Sequence, residues 1–301
     1  MAKRLEKLID KATPRYTITL PLTKTVVTYR PFLVKEEKVL LISTADLKDD
    51  DIAGRYRAIV LLLENCTDLD DVGNLPLAEV DWLFVQIRAK SVNNIVKANY
   101  TCPTSGNISI EVDLEELKIE GDLPDPKIML TDNMGITVSV PTLNDTLSCY
   151  ENADTEMDSF CILKKTIQEI YTEDDIITRE EMDEDDLDEF INSMINAHTV
   201  KIYDYFSNIP RIQKEIIYTS GDTTQKINLT NIRDILALSL SHISLSAFYE
   251  INFSLMQHHN YSLADIESMI PWEREVYINY LKSWLEEQKK AHDQQKRSMG
   301  R

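Results

Sequence analysis

The chain has 301 residues and a mass of 34.7 kDa, is 43% hydrophobic and 28% charged, and carries a formal net charge of −19 with a pI near 4.7. That size and balance suit a globular protein whose core is divided among two or three subdomains. So acidic a surface disfavours nonspecific binding to nucleic acid or to an anionic membrane, both of which need Lys and Arg to neutralise phosphate, and it favours partners with basic faces.

In chain order, Tyr16-Thr17-Ile18-Thr19-Leu20-Pro21 and Val26-Val27-Thr28-Tyr29-Arg30-Pro31 alternate and break at prolines, which predicts a β-hairpin bending near Leu22-Thr23-Lys24. Phe32-Leu33-Val34 then leads into a helix that buries Leu40 and Leu41. Asp49-Asp50-Asp51 ends it and caps a second helix carrying Ile59, Leu62 and Leu63 at helical spacing. A third helix begins near Leu77 and presents Val80, Leu83, Phe84, Ile87 and Val92. Residues 99–140 read as a small antiparallel sheet, built from Ile108–Leu114, Ile128–Leu130 and Ile136–Val140, with Gly135 as a bend residue.

Within that sheet, Tyr100-Thr101-Cys102-Pro103-Thr104-Ser105-Gly106 is similar to the Cys-Pro-x-Cys-Gly turn of a zinc ribbon, with Ser105 in place of the second thiolate. Structural zinc takes four ligands, mostly thiolate or imidazole, so Cys102 reads as the remnant of a lost site. A second such turn, Tyr218-Thr219-Ser220-Gly221, has no cysteine and lies in a short hairpin from Ile216 to Leu229. The two turns echo each other weakly as an internal repeat.

From Asp154 the chain is predicted helical and strongly acidic, with Thr178 and Glu181 forming a capping box. Residues 231–257 are densely apolar, but His242, Glu250 and interleaved serines make them a core helix rather than a membrane span, and no stretch reaches the roughly 20 apolar residues of a span. Ser262 opens a short helix. Pro271 starts another, with Trp272, Val276, Tyr280, Leu281, Trp284 and Leu285 as its apolar stripe and a polar end after Glu286 that frays unless a partner orders it. The division expected is 1–98, 99–230 and 231–301, in an α+β fold of helical groups with small antiparallel β elements.

Chemical motifs are sparse. Seven glycines and no G-x-G-x-x-G or P-loop speak against a phosphate cradle. Cys66, Cys102, Cys149 and Cys161 show no paired spacing, which predicts reduced thiols in a cytoplasm, with Cys66 and Cys161 inert in apolar helices. The N-terminus lacks the apolar stretch of a signal peptide. The acidic run 173–189 lacks the glycine and terminal glutamate of a calcium loop and reads as a solvated face open to a basic partner. Adjacent His258 and His259 point apart on a helix and make a polar helix end, not a chelate. No catalytic residue, cofactor or metal site is expected, and a metal-dependent or thiol enzyme is the least favoured alternative.

With those strings in place, the chain resembles the baseplate hub and hub-assembly proteins of T-even-like contractile-tailed bacteriophages. The resemblance runs through Tyr16–Pro21, Arg30–Lys38, Tyr100–Leu114, Leu130–Thr142, Ile209–Leu229 and residues 248–285. Its most specific part is Met269-Ile270-Pro271-Trp272-Glu273-Arg274-Glu275. Members often carry Cys-x-x-Cys at these turns; Cys102 alone remains here, so zinc is not carried over. The resemblance implies a protein that builds or closes the central hub through contacts with other hub proteins, as a homo- or hetero-oligomer, in the host cytoplasm and then in the virion. The alternative within the same pathway is an assembly chaperone that leaves before completion. Because Trp, Tyr and Arg often anchor interfaces, the contact candidates are Phe32, Glu36, Trp272, Arg274, Tyr277 and Trp284.

Overall fold

The computed structural model describes residues 13–48, 51–102, 106–151, 159–220, 223–229 and 243–299. Strands β1 (Tyr16–Thr19) and β2 (Val26–Tyr29) pair antiparallel, Tyr16 opposite Tyr29, around a turn where Lys24 adopts a φ of 59°. The turn is held from a distance. The buried Glu79 carboxylate accepts hydrogen bonds from the backbone N–H of Leu22 (2.6 Å) and Thr23 (2.9 Å) and from Thr23 Oγ1 (2.9 Å). Helices α1 (Val34–Ala45), α2 (Ile52–Cys66) and α3 (Leu77–Ser91) follow the predicted order. Asp51 caps α2 by accepting from Gly54 N at 2.7 Å, a first-turn donor that would otherwise lack a partner within the helix. Tyr56, Ile59, Leu63, Leu83, Phe84 and Ile87 fill the first core, which also draws in Leu143 and Ile212 from later in the chain.

The sheet predicted over 99–140 is divided. Strands β3 (Ile95–Cys102) and β4 (Gly106–Asp113) form a separate hairpin, from Ile95 opposite Asp113 to Cys102 opposite Gly106. Strands β5 (Lys127–Met129) and β6 (Met134–Val138) instead join β7 (Ile167–Thr172) and β8 (Ile176–Thr178) in one antiparallel sheet of order β5-β6-β7-β8. Gly135 is not a bend. It sits inside β6, where an added Cβ would lie 2.3 Å from the Tyr171 hydroxyl and 2.7 Å from the Ile128 carbonyl. Helix was expected throughout the segment that β7 and β8 occupy. A bulge explains the difference: Thr137 faces Glu169 but Val138 faces Ile167, so Gln168 has no partner. The bulge lets Ile167 and Ile170 both reach the core at a spacing of three, which mimics a helical period.

Helices α4 (Leu143–Glu151) and α5 (Ser159–Thr166) precede β7, and α6 (Glu184–Asn192) and α7 (Asn196–Ser207) follow β8. Between β8 and α6, Glu181 closes the predicted capping box on Thr178, accepting from its N–H (2.8 Å) and Oγ1 (2.9 Å). The sheet and helices α5, α6 and α7 enclose the second core. Here the expectation of reduced thiols is corrected: Cys149 and Cys161 form a disulfide between α4 and α5, their Cα atoms 5.7 Å apart. Cys66 is buried, as read, and stands outside that disulfide, its thiol beside Arg30 and Glu36. Strands β9 (Lys214–Ser220) and β10 (Thr223–Leu229) make a third hairpin, Ser220 opposite Thr223.

Of the predicted core helix 231–257, residues 231–242 lie outside the described residues; the remainder belongs to α8 (Leu245–His259). Its end is set by Asn260, which takes the left-handed conformation (φ 59°) usual at a helix C-terminus. Helix α9 (Leu263–Ser268) is capped by Ser262, and α10 runs from Pro271 to Met299. The helix continues through the polar segment after Glu286 as far as Met299. The whole is an α+β fold with three hydrophobic cores, the third made by α8, α9 and α10 against α1.

Candidate protein-contact surface

The C-terminal helices are fastened to the rest of the chain through α1. Val34 and Leu41 of α1 pack with Phe248, Leu255, Ile266 and Ile278, and Val34 N–H donates to the Met269 carbonyl at 2.9 Å. At the centre lies a buried ion pair. Arg274 Nη2 meets Glu37 Oε2 at 2.9 Å, the two side chains being 5% and 1% exposed. The same guanidinium lies 5.0 Å from the Phe248 ring centroid and 3.5 Å from Asn252 Oδ1. Glu37 also acts on Arg88 in the first core: burial lowers the Arg88 pKa to about 10, while Glu37 pulls it back up. One carboxylate therefore stands between cations of two cores. A second link, Lys38 with Glu267, lies nearer the surface.

Because Arg274, Ile278 and Leu281 point towards the body, the other side of α10 is left outside. Trp272, Val276, Tyr280 and Trp284 follow one another at four-residue intervals on that side, with Tyr277 beside them. Trp272 is 42% exposed, Tyr277 50% and Trp284 53%. Leu285 continues the body-facing seam beyond the end of the body, and it too is exposed. A contiguous row of large apolar side chains in water is uncommon on a monomer and marks a surface that another molecule can cover. Aromatic side chains suit that role, since each buries a large area with few rotatable bonds.

The six contact candidates divide accordingly. Trp272, Tyr277 and Trp284 share the outer face of α10. Phe32, 1% exposed, is first-core packing, and Arg274 is spent on Glu37, so burial removes both from an external surface. Glu36 serves its own chain, taking Arg30 Nη2 at 2.7 Å and Nη1 at 2.9 Å and capping α1 through Leu33 N–H at 2.7 Å. The residues that sequence reasoning missed are Glu37 and Glu79. Their one sequence signal is a carboxylate at an apolar position of an amphipathic helix. Elsewhere, residues 173–189 place eleven carboxylates against one arginine. Asp183, Glu184, Asp185 and Asp186 crowd the start of α6, where the helix dipole favours them. Arg179 and Lys164 hold the Glu184 pKa below its usual value by hydrogen bonding. Among the described residues no group of three or more His, Cys, Asp or Glu side chains is placed to hold a metal ion, and no helix is long and apolar enough to cross a membrane.

Comparison with protein families gives two matches along the chain. Residues 13–237 match the model of the T4 bacteriophage base plate protein, which takes in the three hairpins, the four-stranded sheet and the first two cores. The chain belongs to this family. Residues 244–282 match the C-terminal domain of the baseplate hub assembly protein Gp51, which coincides with α8, α9 and the docked part of α10. The protein is thus a phage baseplate hub assembly protein, working with other baseplate proteins, from a structural and assembly family rather than a known family of enzymes. The boundary between the two matches falls within residues 238–243, just before the unit that Glu37 and Arg274 fasten. No curated protein and no solved structure matches the chain significantly.

Proposed function

We propose that this baseplate hub assembly protein works without chemistry of its own, by laying the outer aromatic face of α10 against a hub component and offering its acidic central helix to a basic one. The single observation behind this reading is the division of α10. Its inner side is fixed by a buried ion pair, while Trp272, Tyr277, Tyr280 and Trp284 stand in water. The acidic run on α6 and the net charge of −19 support a basic partner surface and give no support to nucleic acid or membrane binding. On this reading the protein acts in the host cytoplasm, as part of a hetero-oligomer, and stays in the tail baseplate. The three-part division at 98 and 230 remains our proposal for its domains. The zinc-ribbon-like turns themselves, at residues 103–105 and 221–222, lie outside the described residues; on the sequence we propose that both have lost their metal, with Cys102 at the end of β3 as the remnant.

Trp284→Ala tests this directly. The side chain is half exposed and outside the three cores, so its loss should leave the melting temperature within about 1 °C, as expected for an exposed site. Complementation of a phage lacking the protein should fall at least ten-fold in plaque yield. Unimpaired complementation by Trp284→Ala and by Trp272→Ala would overturn the contact role. Absence of the protein from purified virions by mass spectrometry would instead identify an assembly factor that is released.

A further inference from the structure

A cavity of about 670 Å³ lies between the first and second cores, within the roughly 300–1,000 Å³ range of ligand sites. Its walls are mostly apolar, with Ile52 from α2, Leu163 from α5 and Ile202 from α7 among them. Phe160 and Tyr203, both largely exposed, stand at its mouth. Two charged groups line it, Asp81 of α3 and the exposed Arg211, and Arg211 is not among the groups that act on Asp81. Asp81 accepts a hydrogen bond from the Tyr56 hydroxyl at Oδ1 (3.0 Å), and no cation among the described residues pairs with it. The apolar walls strip water from this carboxyl and push its pKa up to about 8. Tyr56 is raised well above its ordinary value, chiefly by burial and then by Asp81.

We propose that the cavity receives a segment of a partner polypeptide carrying a lysine or arginine between apolar side chains, the cation meeting Asp81 and the apolar groups filling the walls. Two features single out this occupant. A carboxyl without a countercharge in an apolar recess gains most from an incoming cation, because the site has already been desolvated. Exposed aromatics around the opening are the usual anchors of protein recognition. The site lies apart from α10, and assigning it a polypeptide rests on reading the chain as a protein-contact component. Binding converts the protonated Asp81 to a carboxylate paired with the ammonium or guanidinium, and its proton passes to the buffer.

The test is titration calorimetry of the full chain with two peptides, acetyl-Leu-Lys-Phe-amide and its twin with norleucine in place of lysine. The lysine peptide should bind at least ten-fold more tightly at pH 7 and release close to one proton, read by comparing buffers of different ionisation enthalpy. Asp81→Asn should bring the two peptides within two-fold of each other and abolish proton release. Tyr203→Ala, an exposed change that spares the fold, should weaken both peptides and keeps the test open if Asp81→Asn does not fold. Equal affinities for the wild type, a preference that survives Asp81→Asn, or no binding of either peptide at millimolar concentration would each overturn the proposal. Those outcomes leave the Trp284 complementation result untouched, so failure of the cavity and failure of the α10 surface are separately visible.

Discussion

Replacing Glu37 by Gln keeps the size of the side chain and a carbonyl acceptor, but removes the charge that lies 2.9 Å from Arg274. The guanidinium then stays buried without its counterion, because the helix that carries it is also pinned by Phe248, Ile266 and Ile278. Removing one member of such a pair costs about 3–5 kcal/mol. Arg88 loses the same carboxylate's influence, so Glu37→Gln should cost more than Arg274→Met, which leaves only a carboxylate that Arg88 still supports. The double variant Glu37→Gln/Arg274→Met should recover at least about 2 kcal/mol of the summed losses, since a neutral pair buries no charge. Urea unfolding followed by tryptophan fluorescence suits the test, with Trp272 and Trp284 reporting on α10 and Trp82 on α3. Single variants within 1 kcal/mol of wild type, or a double variant equal to the sum of the singles, would refute the account of α10 docking.

Glu79→Ala leaves two backbone donors and one hydroxyl of the first turn without their acceptor and should cost about 2–4 kcal/mol, with hydrogen exchange at Leu22 and Thr23 accelerating first. Asp81 gives a pH dependence of defined sign. Its folded pKa of about 8 exceeds the unfolded value near 3.9, so the folded state holds a proton that the unfolded chain releases between those values. That contribution is fully favourable below pH 4 and is lost as pH rises, by about 1.4 kcal/mol per unit, until it levels off above 8. Asp81→Asn should therefore gain on wild type from pH 5 to pH 8; parallel stability profiles would contradict the desolvated carboxyl. Alkylation under denaturing, non-reducing conditions should label Cys66 and leave Cys149 and Cys161 unlabelled, both of them reacting only after reduction. Opening the 12-residue link between Cys149 and Cys161 should cost about 3 kcal/mol.

Local signals carried most of the secondary structure. The β1–β2 hairpin, the Asp51 cap, the Thr178–Glu181 box and the Pro271 start were legible because each is decided within about four residues. The strands at 167–178 were not, since the bulge at Gln168 disguises a strand's alternation as a helical period. Long-range partnerships left no local trace. Arg274 and Glu37 are 237 residues apart, and Glu79 meets its turn 56 and 57 residues away. Trp272, Tyr277 and Trp284 could be named as an aromatic group on a helix, but sequence could not say which side of that helix the body would cover. The Asp81 cavity was invisible for the same reason, being formed where two cores meet.

Helix α10 has 29 residues, and none after Leu281 is buried among those whose side chains are described. At 1.5 Å per residue, its last 18 residues reach roughly 27 Å beyond the docked part. An isolated peptide of that length would seldom hold a helix in water, because starting the first turn is costly. Here the turn is already started and clamped, so the distal rod grows from a fixed base. A molecule that grips its far end meets a spoke of set direction, and whatever loosens the Glu37–Arg274 root would blunt that grip from a distance.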